Sequence, residues 1–448
     1  MRDQWVKQLR FRHAGQVVVA AFAAAVAVGT ALLMLPIATT APGSAPVVTA
    51  VFHATSAVCV TGLSTVDTPN YWTPFGQVVI LVLIQIGGFG VMTLASLLAI
   101  VLTKKLGLRS RLTAASETKA EGLGDIRNVL FGVVRVTCTV EILVATALTL
   151  RWWLGYGHSF GRAAYLGVFH AVSAFNNAGF ALFSDNLMSY ARDVWIIAPI
   201  SAAIILGGLG FPVIMEVIRV RRRRRWSLHT KITLMMSTSL LLIGAVVITA
   251  VEWSNPKTLG QMGLGEKLLV GTFHSVSPRT AGFNAWDYGQ VDEGTLLSTI
   301  ILMFIGGGSA GTAGGIKVTT FFLLLVGIVS EMRGETHATI FERRIADRTM
   351  RQALNVALIG IAAVVASTLI LTQISDIRLA ELLFESTSAF ATVGLSTGVT
   401  AKLPDAGQLL LVALMFLGRL GPITLVSALA LRESTRRYTY PEGRPLIG

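Results

Sequence analysis

The groups best placed to do chemistry in this chain are backbone carbonyls laid bare by glycine. One phrase, Phe384-Glu385-Ser386-Thr387-Ser388-Ala389-Phe390-Ala391-Thr392-Val393-Gly394-Leu395-Ser396, sets an aromatic residue, then a serine four positions on, then a glycine and an apolar residue. Phe52, Ser56, Gly62 and Leu63 repeat it with the same spacing, as do Phe169, Ser173, Gly179 and Phe180. Phe273, Ser277, Gly282 and Phe283 repeat it with one residue fewer between serine and glycine. A cation crossing a bilayer must exchange its water shell for protein oxygens, and strand carbonyls supply them when they face one axis. Glycine permits the dihedrals such a strand needs and keeps the axis free of side chains. The four glycines are read as one ring of backbone assembled from four quarters of a single chain. The candidate ion-binding residues are Val60, Thr61 and Gly62; Asn177, Ala178 and Gly179; Thr280, Ala281 and Gly282; and Thr392, Val393 and Gly394. Ser64, Asn176, Asn284 and Ser396 stand where they could brace these strands or add oxygens. A half-helix ending at each strand would bring about half an elementary negative charge to the ring, so no carboxylate is required, and none occurs in the four strands. Asp67, Asp185 and Asp287 follow three of them, either as an acidic vestibule or as ordinary outer-loop carboxylates.

Holding four such strands at one depth calls for a membrane scaffold, and the composition supplies one. The 448 residues are 53% hydrophobic and 14% charged, against about 25% charged in soluble domains, with a mean hydropathy of +0.66. A spanning helix needs about 20 apolar residues, and eight segments qualify: 14–37, 74–103, 127–151, 193–219, 229–252, 293–329, 350–373 and 406–431. Between the members of each pair lies a shorter stretch, 47–60, 163–176, 266–277 and 379–391, too short to cross and ending in the phrase. Irregular backbone at membrane depth must be buried in protein or line a cavity. The expected fold is therefore an all-α polytopic membrane protein with four pseudo-symmetric helix–pore-loop–helix repeats around a central pore. The repeats are placed at 1–111, 112–225, 226–334 and 335–448. Cys59 and Cys138, both in apolar settings, imply neither a disulfide framework nor a metal cluster. The basic N-terminus leading into Ala20–Leu35 reads as a retained first helix rather than a cleaved signal.

The 37 Lys and Arg residues concentrate in five stretches: Arg2, Lys7, Arg10 and Arg12; Lys104, Lys105, Arg109, Arg111, Lys119 and Arg127; Arg219, Arg221–Arg225 and Lys231; Arg333, Arg343, Arg344, Arg348 and Arg351; and Arg432, Arg436, Arg437 and Arg444. All five fall on one side if each repeat crosses twice, which makes that side, and both termini, cytoplasmic. The net charge of +13 thus reads as a topology determinant, with anionic membrane lipid or a soluble protein as its partner, and not as a nucleic-acid surface.

Each inner helix also carries a glycine cluster: Gly87-Gly88-Phe89-Gly90, Gly207-Gly208-Leu209-Gly210, Gly306-Gly307-Gly308-Ser309 and Gly418-Arg419-Leu420-Gly421. Small residues there allow either close helix packing or a break near the axis. The third cluster extends through Ala310, Gly311, Thr312, Ala313, Gly314, Gly315, Ile316 and Lys317, with six glycines in twelve residues. Glycine costs about 1 kcal/mol in a helix interior, so this stretch is expected to unwind inside the ring, its freed groups met by water or neighbouring polar groups in a wet cavity. A phosphate-binding loop does not fit its glycine–lysine spacing. Arg419 replaces a glycine of the fourth cluster. A guanidinium at membrane depth costs roughly 2.5–3.5 kcal/mol unless it finds oxygens. There it would raise the barrier for a cation or tether the unwound stretch. Lys317 either shares that task or snorkels. Arg279 is expected to brace carbonyls, Glu141 to be a buried hydrogen-bonded carboxyl or an interface contact, and His53, His170 and His274 to share one structural role.

These features together resemble the Trk/Ktr/HKT superfamily of potassium uptake proteins, and the KtrB-type subunit most of all. Thr392-Val393-Gly394-Leu395 is similar to a potassium-channel filter strand, and Asn176–Phe180, Pro278–Asn284 and Tyr440-Pro441-Glu442-Gly443 complete the pattern. The resemblance implies potassium as the transported ion, since Gly62 stands where serine accompanies sodium transport in some plant members. It makes 306–317 an intramembrane gating loop, with Arg419 as its electrostatic and hydrogen-bonding partner. It further implies sodium as a candidate activator, no covalently bound cofactor, a homodimer, a KtrA-type cytoplasmic ring of nucleotide-binding regulatory subunits, and a multi-pass protein of the cell membrane. No nucleotide-binding fold or catalytic constellation accompanies it, so the chain is not read as an enzyme. A sodium-coupled solute carrier is the rival. It would show inverted repeats, whereas these run in one sense.

Overall fold

The computed structural model describes residues 14–105, 126–220, 226–335 and 337–421. The N-terminal basic residues, Arg109, Arg111, Lys119, Arg221–Arg225, and the tail with Tyr440–Gly443 lie outside the described residues, as do the expected repeat boundaries at 111 and 225.

Each repeat is an outer helix, a pore helix and an inner helix. The first is α1 (Ala14–Leu33), α2 (Val47–Val58) and α3 (Pro74–Lys105). The second is α4 (Ile126–Tyr156), α5 (Phe160–Phe175) and an inner helix in two pieces, α6 (Val194–Leu209) and α7 (Phe211–Arg219). The third is α8 (Leu228–Glu252), α9 (Leu264–Val276) and again a divided inner helix, α10 (Glu293–Phe304) and α11 (Val318–Met332). The fourth is α12 (Asp347–Ile374), α13 (Leu379–Phe390) and α14 (Asp405–Leu420). A two-residue hairpin, β1 (Thr339–Ile340) with β2 (Arg343–Arg344), joins α11 to α12.

Neighbouring repeats pack in a closed circuit: α3 on α4 and α5, α6 on α8 and α9, α10 on α13 and α11 on α12, and α14 back on α2. Burial divides the helices by role. The long outer spans Leu130–Tyr156, Leu228–Glu252 and Asp347–Ile374 are only 28%, 33% and 33% buried over their most apolar stretches. Leu143, Leu154, Val246 and Leu369 face outward. Surfaces this apolar have lipid as their solvent. The pore helices invert the pattern: polar His53, Ser56, Ser173, Ser277 and Ser388 are fully buried, alongside Phe52, Phe169, Phe273 and Phe384.

The 193–219 segment, expected as one span, turns by 97° between α6 and α7. Gly210 sits at φ +94° there, and Pro212 follows. Pro212, in the first turn of α7, has no N–H to donate back into α6, so the helix stops at Gly210 and restarts. The 293–329 segment is likewise divided, by residues 305–317. Fourth-repeat helix α14 ends at Leu420 with Gly421 at φ +80°, and the remainder of 406–431 lies outside the described residues.

Three glycine clusters serve close packing of one kind. A Cβ on Gly87, Gly207 or Gly418 would strike the carbonyl oxygen of Val58, Phe175 or Phe390, the final residue of that repeat's own pore helix. Glycine thus lets each inner helix press against the C-terminus it supports. Gly87→Val is expected to destabilise the protein by about 1–3 kcal/mol through overpacking, read as a lowered thermal midpoint in detergent. An unchanged midpoint would contradict this packing.

Candidate functional site: a glycine ring and the loop beneath it

The four pore helices end at αR caps, Cys59, Asn176, Ser277 and Ala391, and the chain then reverses handedness. Val60, Asn177, Thr280 and Thr392 adopt φ +55°, +59°, +72° and +49°, and the glycines two positions later φ +95°, +69°, +78° and +95°. Positive φ in β-branched residues is a genuine outlier, and strain of about 1–3 kcal/mol per residue persists only where surroundings impose it. Here hydrogen bonds from the pore helix impose it. In the first repeat Val60 N donates to Ala57 O at 3.0 Å, Thr61 N to Ser56 O at 2.7 Å and Gly62 N to Ser56 Oγ at 3.0 Å. The fourth repeats this with Thr392 N to Ala389 O at 3.1 Å, Val393 N to Ser388 O at 2.8 Å and Gly394 N to Ser388 Oγ at 3.1 Å. In the second, Asn177 N and Ala178 N donate to Ala174 O and Ser173 O, and Ser173 Oγ donates to Phe180 O at 2.7 Å. In the third, Ala281 N donates to Ser277 O at 2.9 Å and the Ser277 hydroxyl to Phe283 O. The serine of the phrase is thus the clamp that holds the strand.

Successive N–H groups turned to one side carry a consequence. In a trans peptide the preceding carbonyl points the opposite way, so the carbonyls of Val60, Thr61, Thr392 and Val393 turn away from their helices. An ordinary strand would alternate them. The strands then meet. A Cβ on Gly62 would stand 3.0 Å from Gly179 Cα, one on Gly179 2.9 Å from Gly282 Cα, one on Gly282 3.1 Å from Gly394 Cα, and one on Gly394 3.0 Å from Gly62 Cα. Each would also run into the carbonyl oxygen of Ala178, Ala281, Val393 or Thr61 respectively. The ring is closed, made of backbone, and reached by four helix C-termini whose partial negative charge favours a cation.

Residues 306–317 lie directly under it. A Cβ on Gly314 would meet Ala391 O at 2.5 Å and the Thr392 hydroxyl. Thr312 Oγ1 donates to Phe175 O at 3.3 Å. Of the two sources expected to meet its freed groups, the structure shows neighbouring polar groups. Gly306–Gly308 and Gly311–Gly314 are buried, and their backbone is met largely by backbone. Gly308 N donates to Gly208 O at 2.7 Å, Thr312 N to Gly207 O at 3.2 Å, Phe211 N to Ala310 O at 3.2 Å and Gly306 N to Ile316 O at 2.8 Å. The break at Gly210 supplies those partners: a Cβ there would meet Ser309 O. Ser309 Oγ pairs with Thr319 Oγ1 at 3.3 Å, Val318 N donates to Gly307 O at 3.0 Å, and Gly315 turns at φ +63°. The buried Arg419 donates through Nη1 to Thr312 O and through Nη2 to Gly87 O at 3.3 Å. Lys317 Nζ donates to Ala313 O and so stays within the loop.

The remaining singled-out residues are placed as braces. Arg279 donates to Ser237 O at 2.8 Å and to Gly306 O at 3.4 Å, joining the third strand to the loop. Glu141 Oε1 accepts from Asn176 Nδ2 at 3.1 Å and Oε2 from Gln85 Nε2 at 3.3 Å, a partly buried cluster at the end of the second pore helix. Asn284 Nδ2 donates to Trp286 O at 2.8 Å. Asp67 accepts from Asn70 at 2.6 Å and Ser184 at 2.7 Å, Asp185 from Ser189 N at 2.8 Å and Asp287 from Gly289 N at 2.8 Å, so all three secure outer turns. Among the described residues no group of His, Cys, Asp and Glu could hold a metal ion. The sequence reading missed Glu385, which stands in the fourth phrase where the others have histidine, and that register was the available signal.

The family model TrkH, described as cation transport protein, matches residues 1–438. The chain is 41% identical over 447 residues to the Ktr system potassium uptake protein B of Bacillus subtilis (strain 168), covering 100% of this chain and 99% of that one. It is 34% identical to the potassium/sodium uptake protein NtpJ of Enterococcus hirae, covering 97% of each. The crystal structure of the potassium transporter TrkH from Vibrio parahaemolyticus superposes with a TM-score of 0.75 at 16% identity, covering 94% of this chain and 86% of that one, a likeness of fold.

Hydrogen bonds to charged groups are worth about 1.5–3 kcal/mol. Arg419→Ala is therefore expected to speed amide exchange across 306–317 by roughly ten- to a hundredfold, measured by mass spectrometry. Unchanged exchange would mean that Arg419 does not restrain the loop.

Proposed function

This chain belongs to the TrkH family of cation transport proteins, and from that premise we propose that it is the ion-translocating subunit of a potassium uptake system, a channel-like pore with an intramembrane gate. The observation that carries the reading is the closed glycine ring. Inward-turned carbonyls replace the hydration shell of the ion, four helix ends favour its charge, and no carboxylate binds it too tightly to leave. Val60–Gly62, Asn177–Gly179, Thr280–Gly282 and Thr392–Gly394 are the filter. The relatives' names, potassium uptake protein B and potassium/sodium uptake protein, support potassium as the cargo. They mark a transporter rather than an enzyme. The second name supports sodium as an activating or co-transported ion.

Residues 306–317 are the gate. They lie against the fourth strand and the second pore helix, so an ion leaving the ring meets them next. Arg419 holds them closed by its bond to Thr312 O and opposes a cation by its charge, an interaction of about 4 kcal/mol at 4 Å for an effective dielectric constant of 20. Opening requires Thr312 to leave Arg419 and Phe175. The name of a Ktr system implies a further subunit. We assign that role to a KtrA-type nucleotide-binding ring docking on the basic side, with a homodimer of this chain above it and both termini cytoplasmic. Flux then runs inward down the electrochemical gradient.

Rubidium uptake into liposomes tests the filter. Gly282→Ser, folded by gel filtration, is expected to lose uptake, and wild-type uptake in that variant would overturn the assignment. Deleting residues 308–314 tests the gate: flux should rise severalfold and depend less on the regulatory subunit. Flux that stays at the wild-type level would remove the gate from this loop.

A further inference from the structure

The residue after the aromatic of the phrase contributes no oxygen to the ring, yet it is wholly buried and hydrogen bonded in all four repeats. His53 Nε2 pairs with Ser64 Oγ at 2.8 Å. His170 Nε2 accepts from Leu182 N at 3.3 Å and His274 Nε2 from Ala285 N at 3.2 Å. Every target lies two or three residues beyond the key glycine, on the strand leaving the ring. The far side of each imidazole is anchored too, to Thr49 O at 2.9 Å, Leu166 O at 2.8 Å and Tyr288 Oη at 2.9 Å. A neutral imidazole has one donor and one acceptor nitrogen. With Nδ1–H committed to Leu166 O, His170 has a single acceptor left for the strand.

The fourth repeat breaks this arithmetic. Glu385 Oε1 accepts from Ser396 Oγ at 2.6 Å and Thr397 N at 3.0 Å, and Oε2 from Thr400 Oγ1 at 2.7 Å. The Thr397 hydroxyl adds a longer bond to Oε1 at 3.4 Å; a carboxylate accepts about four bonds, so one side chain gathers four donors from residues 396–400. Three positions along α13, Ser388 holds Gly394 N. Gly394 is therefore pinned on both sides, before and after, by one turn of helix. On the premise that the glycine ring is the filter, we propose that Glu385 is a positioning and specificity-determining residue: it holds the strand beyond Gly394 rigid, and through it the spacing of the carbonyls that distinguish potassium from sodium. The three histidines do the same for their own strands with one bond each. From this position the fourth strand is held by more bonds than any of the other three.

The test is the ratio of rubidium to sodium uptake by the full-length protein in liposomes, with the thermal midpoint in detergent as a parallel readout. Glu385→Gln keeps the shape but turns an amide N–H₂ toward donors. It is expected to lower the ratio about tenfold, the equivalent of one charge-assisted hydrogen bond, in protein that still melts cooperatively. Thr400→Val combined with Ser396→Ala removes donors from the other partner. It should lower the ratio in the same direction, and it serves if Glu385→Gln does not fold. Gly394→Ser is the reference for the premise. A ratio that changes in Gly394→Ser but stays at the wild-type value in the Glu385 and Ser396/Thr400 variants would overturn the positioning role, as would a lowered midpoint with an unchanged ratio. A ratio unmoved in Gly394→Ser as well would remove the filter itself.

Discussion

No side chain fits where the four strands meet. Each key glycine has the next strand's carbonyl oxygen where a Cβ would be and the next glycine's Cα within about van der Waals contact. The rest of the molecule follows from that crowding. Backbone this exposed cannot be left unpaired at membrane depth, so its N–H groups must be satisfied from one side. The pore helices do this, with Ser56, Ser173, Ser277 and Ser388 as clamps. The helices must in turn be carried by something close enough to support their ends, and Gly87, Gly207 and Gly418 admit the inner helices to that distance.

The fourfold plan is broken beneath the ring. In the third repeat none of Gly306, Gly307 and Gly308 has the last carbonyl of the pore helix among its nearest contacts. The chain instead unwinds and borrows carbonyls from Gly207 and Gly208 of the second repeat. That loan is possible because the second inner helix is itself broken at Gly210. Arg419 from the fourth repeat and Gly87 O from the first complete the assembly. All four repeats therefore meet at one loop.

Much of this was legible in the chain because repetition exposes it. Four copies of one spacing mark the pore helices to within a few residues, and hydropathy marks the spans around them. The strand residues follow from the glycines. The unwinding of 306–317 follows from glycine content alone. What stayed hidden was partnership. Nothing in Gly210-Phe211-Pro212 says that the bend there serves a loop nearly a hundred residues later. The partners of that loop could not be named, because several of its donors and acceptors come from another repeat. The partners of Glu385, which are Ser396, Thr397 and Thr400, were equally hidden.

The sequence by itself determined the class of protein, the number of repeats, the residues of the ring and the segment that cannot stay helical, because hydropathy, glycine content and repeat spacing are properties of composition and order. Only the tertiary structure decided which way the carbonyls turn, how closely the four strands approach, and what Arg419, Glu141 and Glu385 hold. Those depend on groups far apart in the chain arriving within hydrogen-bonding distance, and a hydrogen bond depends on that distance and its angle, which no linear spacing encodes.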